Sequence, residues 1–385
     1  SSDLFTDVVL EGAEAAPRVV KVRSTPDDPG RALLEGLDAL GLTAEERARV
    51  QVVHGTTVAL NALLQGATPD VALVTNEGFQ DLVEIGRQAR PELYAEHPQK
   101  AEPLVPRRLR FEVPQRSWPG ADGNLEEGRR PTRRELDALR QRLRKARPES
   151  IAVCLLHAYA DPRIEREVAD ALAPLGVPIT CSAELLREYR EFERFSTACA
   201  NAALAPLVAD YLENLAAALP GARLSILQSS GGALSAARAA TEPARVLLSG
   251  PAGGVVGAAR AAREAGIEQL VTLDMGGTST DVAFHEAGSR LEDAVSSAEV
   301  DGLPIGLPSL DIHTIGCGGG SIVRLDEGGA WIPGSKGDAM WAGAGGTSFT
   351  VDRKEGIVGI FLSAGPSTRQ KTRFLFKNLL YGALV

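Results

Sequence analysis

Cysteine is scarce in this sequence of 385 residues, and the four that occur show no C-x-x-C spacing. This argues against both a zinc knuckle and a disulfide framework, so a reducing cytoplasm is the expected location. Long apolar runs are missing too: none approaches transmembrane length, and no basic start followed by an apolar stretch opens the chain. The sequence therefore predicts no membrane partner.

An excess of positive charge is also absent. The formal net charge is -9, and no basic stripe with interleaved aromatic residues occurs, which argues against nucleic acid as a main partner. The basic run at 129–145 is better explained as the solvated face of a helix. With 44% hydrophobic and 24% charged residues, the chain can bury large cores, and we expect two or three lobes.

Apolar runs typical of strands alternate with long helical patterns, the order that an α/β protein requires. Strands are predicted at 6–10, 19–22, 50–53, 71–75, 108–113, 150–157, 224–228 and 270–273, and helices at 29–42, 132–146, 162–175 and 191–219. A change of composition near 178–182 resembles a linker. The predicted division is therefore 1–180, 181–335 and an atypical tail at 336–385.

The most informative segment is the run from Asp274 to Asp281, which follows a short apolar strand pattern. Gly276 and Gly277 allow backbone N–H groups to turn toward an anion, and the Thr278 hydroxyl can donate to a phosphate. The two aspartates suit Mg²⁺, which takes only one or two carboxylates. The alternative is an ordinary β-hairpin with a Gly-Gly turn. We favour the nucleotide phosphate site because the spacing combines all these groups.

Two further segments are candidate walls of a polar pocket. His54 ends a predicted strand and leads through a glycine into a helix whose first turn would expose Thr56 and Thr57, although a threonine N-cap explains this pattern equally well. Near the other end, a glycine loop between two strands contains Gly316, Gly318, Gly319, Gly320 and Ser321. The glycines at 253, 254 and 257 permit either an anion at a helix start or close helix packing.

Several segments together closely resemble one family: HGTTVALNALL, ALVTNEGFQDLVEIGRQARPELY, PLVPRRLRFEVPQR, QSSGGALSAARA, LLSGPAGGVVGAA, LDMGGTSTDVAF and LDIHTIGCGGGSI. This is the hydantoinase A and 5-oxoprolinase family, which includes N-methylhydantoinase A and subunits of acetone and acetophenone carboxylases. The resemblance runs from about residue 5 to about residue 329. Seven motifs in the family's order make it highly specific.

The resemblance implies a two-lobed fold like that of actin, Hsp70 and sugar kinases, with ATP and Mg²⁺ in the cleft. It implies ATP-dependent ring opening of a cyclic amide such as hydantoin or 5-oxoproline, or carboxylation of a ketone. A second, hydantoinase B-like subunit is the implied partner.

The resemblance also implies roles for individual residues. Catalytic roles fall to Asp7, Asp274, Asp281 and His54, and metal binding to Asp274 and Asp281. Nucleotide contacts fall to Thr6, Thr56, Thr57, Gly276, Gly277, Thr278, Gly316, Gly318, Gly319, Gly320 and Ser321. For His157 and His313, we favour ordinary structural positions over a catalytic base.

The sequence departs from the family pattern at both ends. Only the Thr6-Asp7 end of the family's opening phosphate loop occurs here, so an impaired nucleotide-binding scaffold is an alternative to an enzyme. The tail, with a helix predicted at 367–383, resembles the end of β-lactamase-type serine esterases. No serine has a lysine three positions later, so we expect none of that esterase chemistry.

Overall fold

The structure is a computed structural model that describes residues 5–12, 16–25, 28–88, 102–120, 125–275, 280–286, 295–315, 324–326, 338–342, 348–352 and 357–361. The helices in these ranges are α1 Pro29–Ala39, α2 Ala44–Arg47, α3 Val58–Leu64, α4 Leu82–Ile85, α5 Arg133–Ala146, α6 Arg163–Leu172, α7 Ser182–Leu185, α8 Glu191–Ala218, α9 Ala236–Thr241 and α10 Ser249–Glu264. Within this described part, no helix has the length and apolar character needed to cross a bilayer.

The strands alternate with these helices through the first two thirds of the chain and follow one another closely after α10. They are β1 Phe5–Leu10, β2 Arg18–Arg23, β3 Gln51–His54, β4 Val71–Asn76, β5 Arg110–Val113, β6 Arg116–Pro119, β7 Leu125–Arg129, β8 Ser150–Cys154, β9 Ile179–Cys181, β10 Arg223–Leu227, β11 Ala233–Ser235, β12 Gln269–Met275, β13 Thr280–Glu286, β14 Val295–Val300, β15 Leu303–Leu310, β16 His313–Ile315, β17 Arg324–Asp326, β18 Asp338–Ala342, β19 Ser348–Asp352 and β20 Ile357–Phe361. The predicted α/β class is confirmed.

A parallel sheet in the order β5-β4-β8-β9 forms one compact unit. Every residue of β4 and β8 is buried, which explains their near-continuous apolar sequences. Helices α5 and α6 cover one face through Leu143 and Val168, and α8 covers the other through Phe195 and Cys199. The unit is therefore a three-layer helix–sheet–helix sandwich.

Helix α8 is the central scaffold of the chain. Its N-terminal half packs on the parallel sheet, its middle packs on α3 and β15, and Leu215 packs on β1 and α1. Most of its N-terminal two thirds is buried on all sides, which small alanine side chains permit. The helix therefore connects the parallel sheet to the region that contains the predicted site residues.

The predicted linker at 178–182 was wrong, because these residues form β9 and begin α7. Thr180 and Ser182 are polar but buried. The carboxylate of Glu165, itself inaccessible to solvent, accepts hydrogen bonds from the Ser182 hydroxyl (2.6 Å) and the Ala183 N–H (2.8 Å). Partners supplied by another helix stabilise a sequence that resembles a loop when taken alone.

Three smaller sheets lie outside the parallel unit. Strands β1 and β2 form an antiparallel hairpin, β3 pairs in parallel with β10 in the order β11-β10-β3, and β12-β13-β16 form an antiparallel sheet. The other pairings are β6 with β7, β14 with β15, and β17-β18-β19-β20 in chain order. The predicted helix at 367–383 lies outside the described residues.

We expect Gly36→Ala to destabilise the protein by roughly 1–3 kcal/mol, because overpacked cores carry penalties of this size. A Cβ at Gly36 would overlap Val8, where α1 packs against β1. Gly254→Ala is the matched control: this helical glycine has open space around its Cβ position, so we expect a gain of about 0.5–1 kcal/mol. Urea unfolding measures both, and equal effects would contradict the packing argument.

Candidate functional site

A cavity of about 1140 Å³ lies where β1, β3, α3, α8, α10 and the β12-β13-β16 sheet meet. Its polar lining includes Thr6, Asp7, Asp28, His54, Thr56, Thr57, Tyr211, Asp274, Asp281 and Thr314. Small-molecule pockets usually measure roughly 300–1,000 Å³, so this cavity is large enough for a nucleotide and a second substrate. It brings together all the predicted site residues that the structure describes.

Asp274 and Asp281 face each other across β12 and β13, where they are directly paired. Opposite residues of an antiparallel pair present their side chains on the same face, about 4.5–5.5 Å apart at Cβ. The Thr314 hydroxyl on β16 donates to Asp281 Oδ1 at 2.6 Å, which orients that carboxylate. The sheet thus positions two carboxylates and a hydroxyl at one edge of the cavity.

This carboxylate pair matches the donor set that Mg²⁺ uses. Magnesium is usually held by one or two carboxylates, with water and substrate phosphates completing its octahedron. Among the described residues, no group of three or more His, Cys, Asp or Glu side chains gathers as in an all-protein metal cage. Two carboxylates that line the cavity leave the remaining coordination positions to water and phosphate oxygens, which is compatible with a magnesium ion carried by a nucleotide.

Four residues, 276–279, connect β12 to β13, and Met275 pairs with Thr280. The strand pairing of the hairpin that we considered as an alternative is therefore present. That pairing does not compete with the phosphate-loop interpretation, since a connection between paired strands can in general present N–H groups to an anion. The predicted contacts Gly276, Gly277 and Thr278 lie outside the described residues, as do Gly316, Gly318, Gly319, Gly320 and Ser321.

On β1, Thr6 and Asp7 both line the cavity but have different surroundings. The Thr6 hydroxyl lies 3.0 Å from the Ser24 hydroxyl, whereas Asp7 forms an exposed ion pair with Lys21 at 2.8 Å. Successive residues of a strand point to opposite faces, so Thr6 and Asp7 join the cavity lining from different sides of β1.

The corner between β3 and α3 is fastened to the start of α10. The Thr56 N–H donates to Ser249 Oγ at 3.0 Å, and that hydroxyl donates to the Thr56 carbonyl at 2.8 Å. A Cβ at Gly55 would lie 3.1 Å from the Ser249 carbonyl oxygen, so glycine permits this close approach. The corner and the α10 N-terminus therefore form one rigid wall of the cavity.

The threonine N-cap that we considered for α3 is wrong in its hydrogen bonding. Thr57 occupies the N-cap position, but its side chain makes no capping bond. Its hydroxyl instead accepts from Asn61 Nδ2 at 3.2 Å, while Thr56 Oγ1 accepts from the Val58 N–H at 3.2 Å. Both threonines line the cavity, and both hydroxyls accept a hydrogen bond from the first turn of the helix.

The glycines of α10 divide into two kinds. A Cβ at Gly253 would lie 2.9 Å from Leu227, as the close-packing interpretation requires. Gly254 and Gly257 have open space instead, so close packing was wrong for those two positions. Gly250 and Pro251 line the cavity, which places the positive end of a 16-residue helix at its wall.

Sequence reasoning did not assign a role to Tyr211, which α8 carries into the cavity. Its hydroxyl lies 2.6 Å from His54 Nε2, although the two residues are 157 positions apart. Burial lowers the pKa of His54 to about 4 and raises the pKa of Tyr211 to about 12. Both side chains are therefore neutral at pH 7. No local pattern could have revealed this contact, because it depends on how α8 packs.

The low pKa of His54 predicts a pH-dependent contribution to stability. Between about pH 4 and the unfolded value near 6.5, the unfolded state binds more protons, so stability falls as the pH falls. When the pH falls from 7.5 to 5, we expect the free energy of unfolding of the native protein to decrease by about 2 kcal/mol more than that of His54→Gln. Urea unfolding at both pH values measures this difference. The exposed His313→Gln serves as the control, and an equal pH response of native protein and His54→Gln would contradict the prediction.

Comparison with known families gave two matches that cover most of the chain. The hydantoinase/oxoprolinase N-terminal region matches residues 4–176, and the hydantoinase/oxoprolinase family model matches residues 194–358. The second match extends past residue 335 into the predicted tail.

Relatives with assigned functions agree with these matches. The chain is 32% identical over 341 residues to caprolactamase subunit alpha of Pseudomonas jessenii, covering 84% of this chain and 48% of the relative. It is 30% identical to 5-oxoprolinase of Saccharomyces cerevisiae (71% and 23% covered) and 29% identical to the acetophenone carboxylase gamma subunit of Aromatoleum aromaticum (92% and 52% covered). The chain thus spans about half or less of the length of these relatives.

Two solved structures share the fold. The crystal structure of the ATP-dependent caprolactamase from Pseudomonas jessenii superposes with a TM-score of 0.70 at 30% identity, covering 84% of this chain and 49% of that one. Nucleotide-free acetone carboxylase superposes with a TM-score of 0.69 at 24% identity, covering 94% and 50%. Motifs, family matches and structural neighbours agree, and the chain belongs to the hydantoinase/oxoprolinase family.

Proposed function

We propose that this chain provides the ATP site for ring opening of a cyclic amide. The observation that carries the proposal is the pair Asp274 and Asp281, opposed across β12 and β13 and facing the same cavity as His54 and Tyr211. The aspartate pair offers oxygen ligands for a cation, and the same lining includes His54 and Tyr211, which are neutral at pH 7. This arrangement suits transfer of a phosphoryl group to a neutral acceptor.

The chemistry requires ATP because an unstrained lactam is a poor electrophile. Transfer of the γ-phosphoryl group to the lactam carbonyl oxygen makes the carbonyl carbon open to attack by water. Overall, ATP, the lactam and two water molecules give ADP, phosphate and the ring-opened amino acid. The protein contributes positioning and charge stabilisation, which are the main terms in phosphoryl transfer.

In this proposal, Asp274 and Asp281 hold the Mg²⁺ that accompanies ATP, and Thr314 orients Asp281 by its hydrogen bond. When bound, the ion supplies neutralisation of the phosphate charge. The α10 N-terminus, with Gly250 and Pro251 at the wall, favours an anion electrostatically. His54 and Thr56 lie in the corner that is hydrogen-bonded to this helix start, and we place the acceptor beside them.

We further propose that the cavity is the cleft of a two-lobed fold like that of actin, Hsp70 and sugar kinases. Residues of β1 and β3 line it together with Asp274, Asp281 and Thr314 of the β12-β13-β16 sheet, and in this proposal these two groups belong to different lobes. The names caprolactamase subunit alpha and acetophenone carboxylase gamma subunit indicate that these two relatives belong to multi-subunit enzymes. A second subunit that completes the lactam site is therefore part of the proposal.

Carboxylation of a ketone is the second candidate. It is supported by the acetophenone carboxylase gamma subunit, whose match covers 92% of this chain, and by the fold shared with acetone carboxylase. In that reaction the phosphoryl acceptor would be bicarbonate or an enolate rather than a lactam. The same cavity end with Asp274 and Asp281 would serve both reactions.

ADP release, measured by a coupled assay in the presence of a candidate second subunit, tests the proposal. We expect release that depends on a lactam, with caprolactam, 5-oxoproline and hydantoin as the probes. Release that depends instead on bicarbonate together with a ketone would replace the proposed reaction by the second candidate. A folded chain that binds no Mg·ATP would overturn both and leave a scaffold role.

A further inference from the structure

His54 and Tyr211 form a short side-chain contact that joins β3 to α8 in the cavity wall. The Nε2 atom of His54 lies 2.6 Å from the Tyr211 hydroxyl, and the two rings are tilted by 47° with centroids 6.1 Å apart. A distance this short between neutral groups requires that one of them donates its proton to the other. The direction of that donation determines which imidazole nitrogen carries hydrogen.

The length of the contact sets this direction. The Tyr211 oxygen lies 2.6 Å from His54 Nε2. This is shorter than the roughly 2.7–3.2 Å typical of an N–H donor and lies within the roughly 2.5–3.0 Å typical of an O–H donor. A phenol hydroxyl is also the better donor of the two neutral groups, because its pKa is near 10, and the unprotonated imidazole nitrogen is a good acceptor. Tyr211 therefore donates its proton to His54 Nε2.

An imidazole that accepts at Nε2 carries its proton on Nδ1. Within the described residues, the His54 ring makes no other hydrogen bond, and its Nδ1 is not among the buried unpaired atoms. The side chain lines the cavity. The Nδ1–H is therefore available to a bound molecule.

Tyr211 is itself held firmly, which a positioning role requires. It packs against the same core as Leu215 and Leu224, next to α1. Gly30 at the start of α1 lies beside its ring, with the position of a Cβ only 3.9 Å from Tyr211 Cε2. The ring is thus confined between α8 and α1, so the hydroxyl has little freedom to leave His54.

We propose that Tyr211 is a positioning residue that fixes His54 as the Nδ1–H tautomer, so that His54 offers a neutral hydrogen-bond donor to the oxygen that receives the phosphoryl group. The identity of that acceptor rests on the proposed function, whereas the tautomer does not. A neutral donor suits this cavity because the carboxylates Asp7, Asp28, Asp274 and Asp281 also line it and would pair with an imidazolium. A neutral imidazole does not compete with the cation for Asp274 and Asp281.

The tautomer is tested directly by ¹⁵N NMR of the full chain labelled at its five histidines, with the His54 signals assigned by their loss in His54→Gln. We expect Nδ1 protonated and Nε2 unprotonated at pH 7 in the native protein. In Tyr211→Phe the ring remains but the donor is gone, so we expect the signals to shift toward the Nε2–H form. A protonated Nε2 in the native protein, or an unchanged tautomer in Tyr211→Phe, would overturn the proposal.

Tyr159→Phe is the matched control, because Tyr159 lies against His157 at a centroid distance of 6.3 Å and outside the cavity. It should leave the His54 signals unchanged. Circular dichroism of Tyr211→Phe checks that the fold persists. If Tyr211→Phe fails to fold, the spectrum of the native protein still decides, since a protonated Nε2 on His54 there would by itself overturn the proposal.

Kinetics then test the use of that donor. We expect Tyr211→Phe to lower kcat for lactam-dependent ADP release by roughly 10- to 100-fold with little change in KM for ATP. His54→Gln should lower kcat similarly, and the double variant should show little further loss. A native kcat in Tyr211→Phe with an altered tautomer would overturn the catalytic use. If the native protein shows no ATP-dependent reaction, the proposed function fails while the NMR result still decides the role of Tyr211.

Discussion

Asp274→Asn should weaken binding of Mg·ATP by roughly 100-fold, an effect equal to about 2.8 kcal/mol. The substitution keeps the shape of the side chain but removes one of the two carboxylates that oppose each other across β12 and β13. The remaining carboxylate, Asp281, keeps its hydrogen bond from Thr314 but provides half the charge. Isothermal titration calorimetry with Mg·ATP measures the change.

Two variants make this test specific. Asp70→Asn removes an aspartate that pairs with Arg108 on the surface and does not line the cavity, so it should bind Mg·ATP like the native protein. Thr314→Val removes only the hydroxyl that orients Asp281, and we expect a weaker loss of about tenfold. Native affinity in Asp274→Asn would show that the carboxylate pair does not bind the cation.

The largest expected effect on stability is that of Arg194→Met, at about 3–5 kcal/mol. Arg194 has no solvent exposure and donates to Ser182 Oγ (3.0 Å) and to the Leu155 (2.7 Å) and Glu188 (3.0 Å) carbonyls. Ser182 in turn donates to the buried carboxylate of Glu165. Methionine fills the volume, but it leaves these three acceptors without their donor and the Glu165 carboxylate without its nearby cation.

Urea unfolding followed by circular dichroism measures this loss, with the exposed Arg144→Met as a control expected to change stability by less than about 0.5 kcal/mol. Burial raises the pKa of Glu165, and Arg194 is one of the groups that oppose the rise. Removal of Arg194 raises the pKa of Glu165 further. A carboxyl group whose pKa is higher in the folded than in the unfolded state makes the protein less stable as the pH rises. The deficit of Arg194→Met should therefore be smaller at pH 5 than at pH 8. A deficit below 1 kcal/mol at pH 8 would contradict the buried-network argument.

Much of the local structure followed from patterns within a few residues. The apolar runs of β4 and β8 predicted buried strands, and the parallel unit contains both. Thr132 and Glu135 form a capping box at the start of α5, where the helix was predicted to begin. The family was also predictable, because seven motifs in order carry it and the family matches confirm it.

Contacts between distant segments were not predictable in the same way. The residues at 178–182 resembled a linker until Glu165 supplied their hydrogen bonds, and β3 pairs with β10 across more than half of the described chain. Short polar segments carry no signal for such partners, since their stability depends on groups that folding brings to them. The predicted division at 180 and 335 and the resemblance of the tail to serine esterases stay predictions.

The sequence by itself determined the α/β class, the family and the identity of the two carboxylates, because each depends on residue order within one segment. Only the tertiary structure decided that Asp281 is oriented by Thr314 and that His54 has Tyr211 as its partner. These contacts join residues from separate strands and helices, and their geometry depends on how α8 and the β12-β13-β16 sheet pack around the cavity. Packing therefore sets the protonation and orientation of side chains whose presence the sequence already indicated.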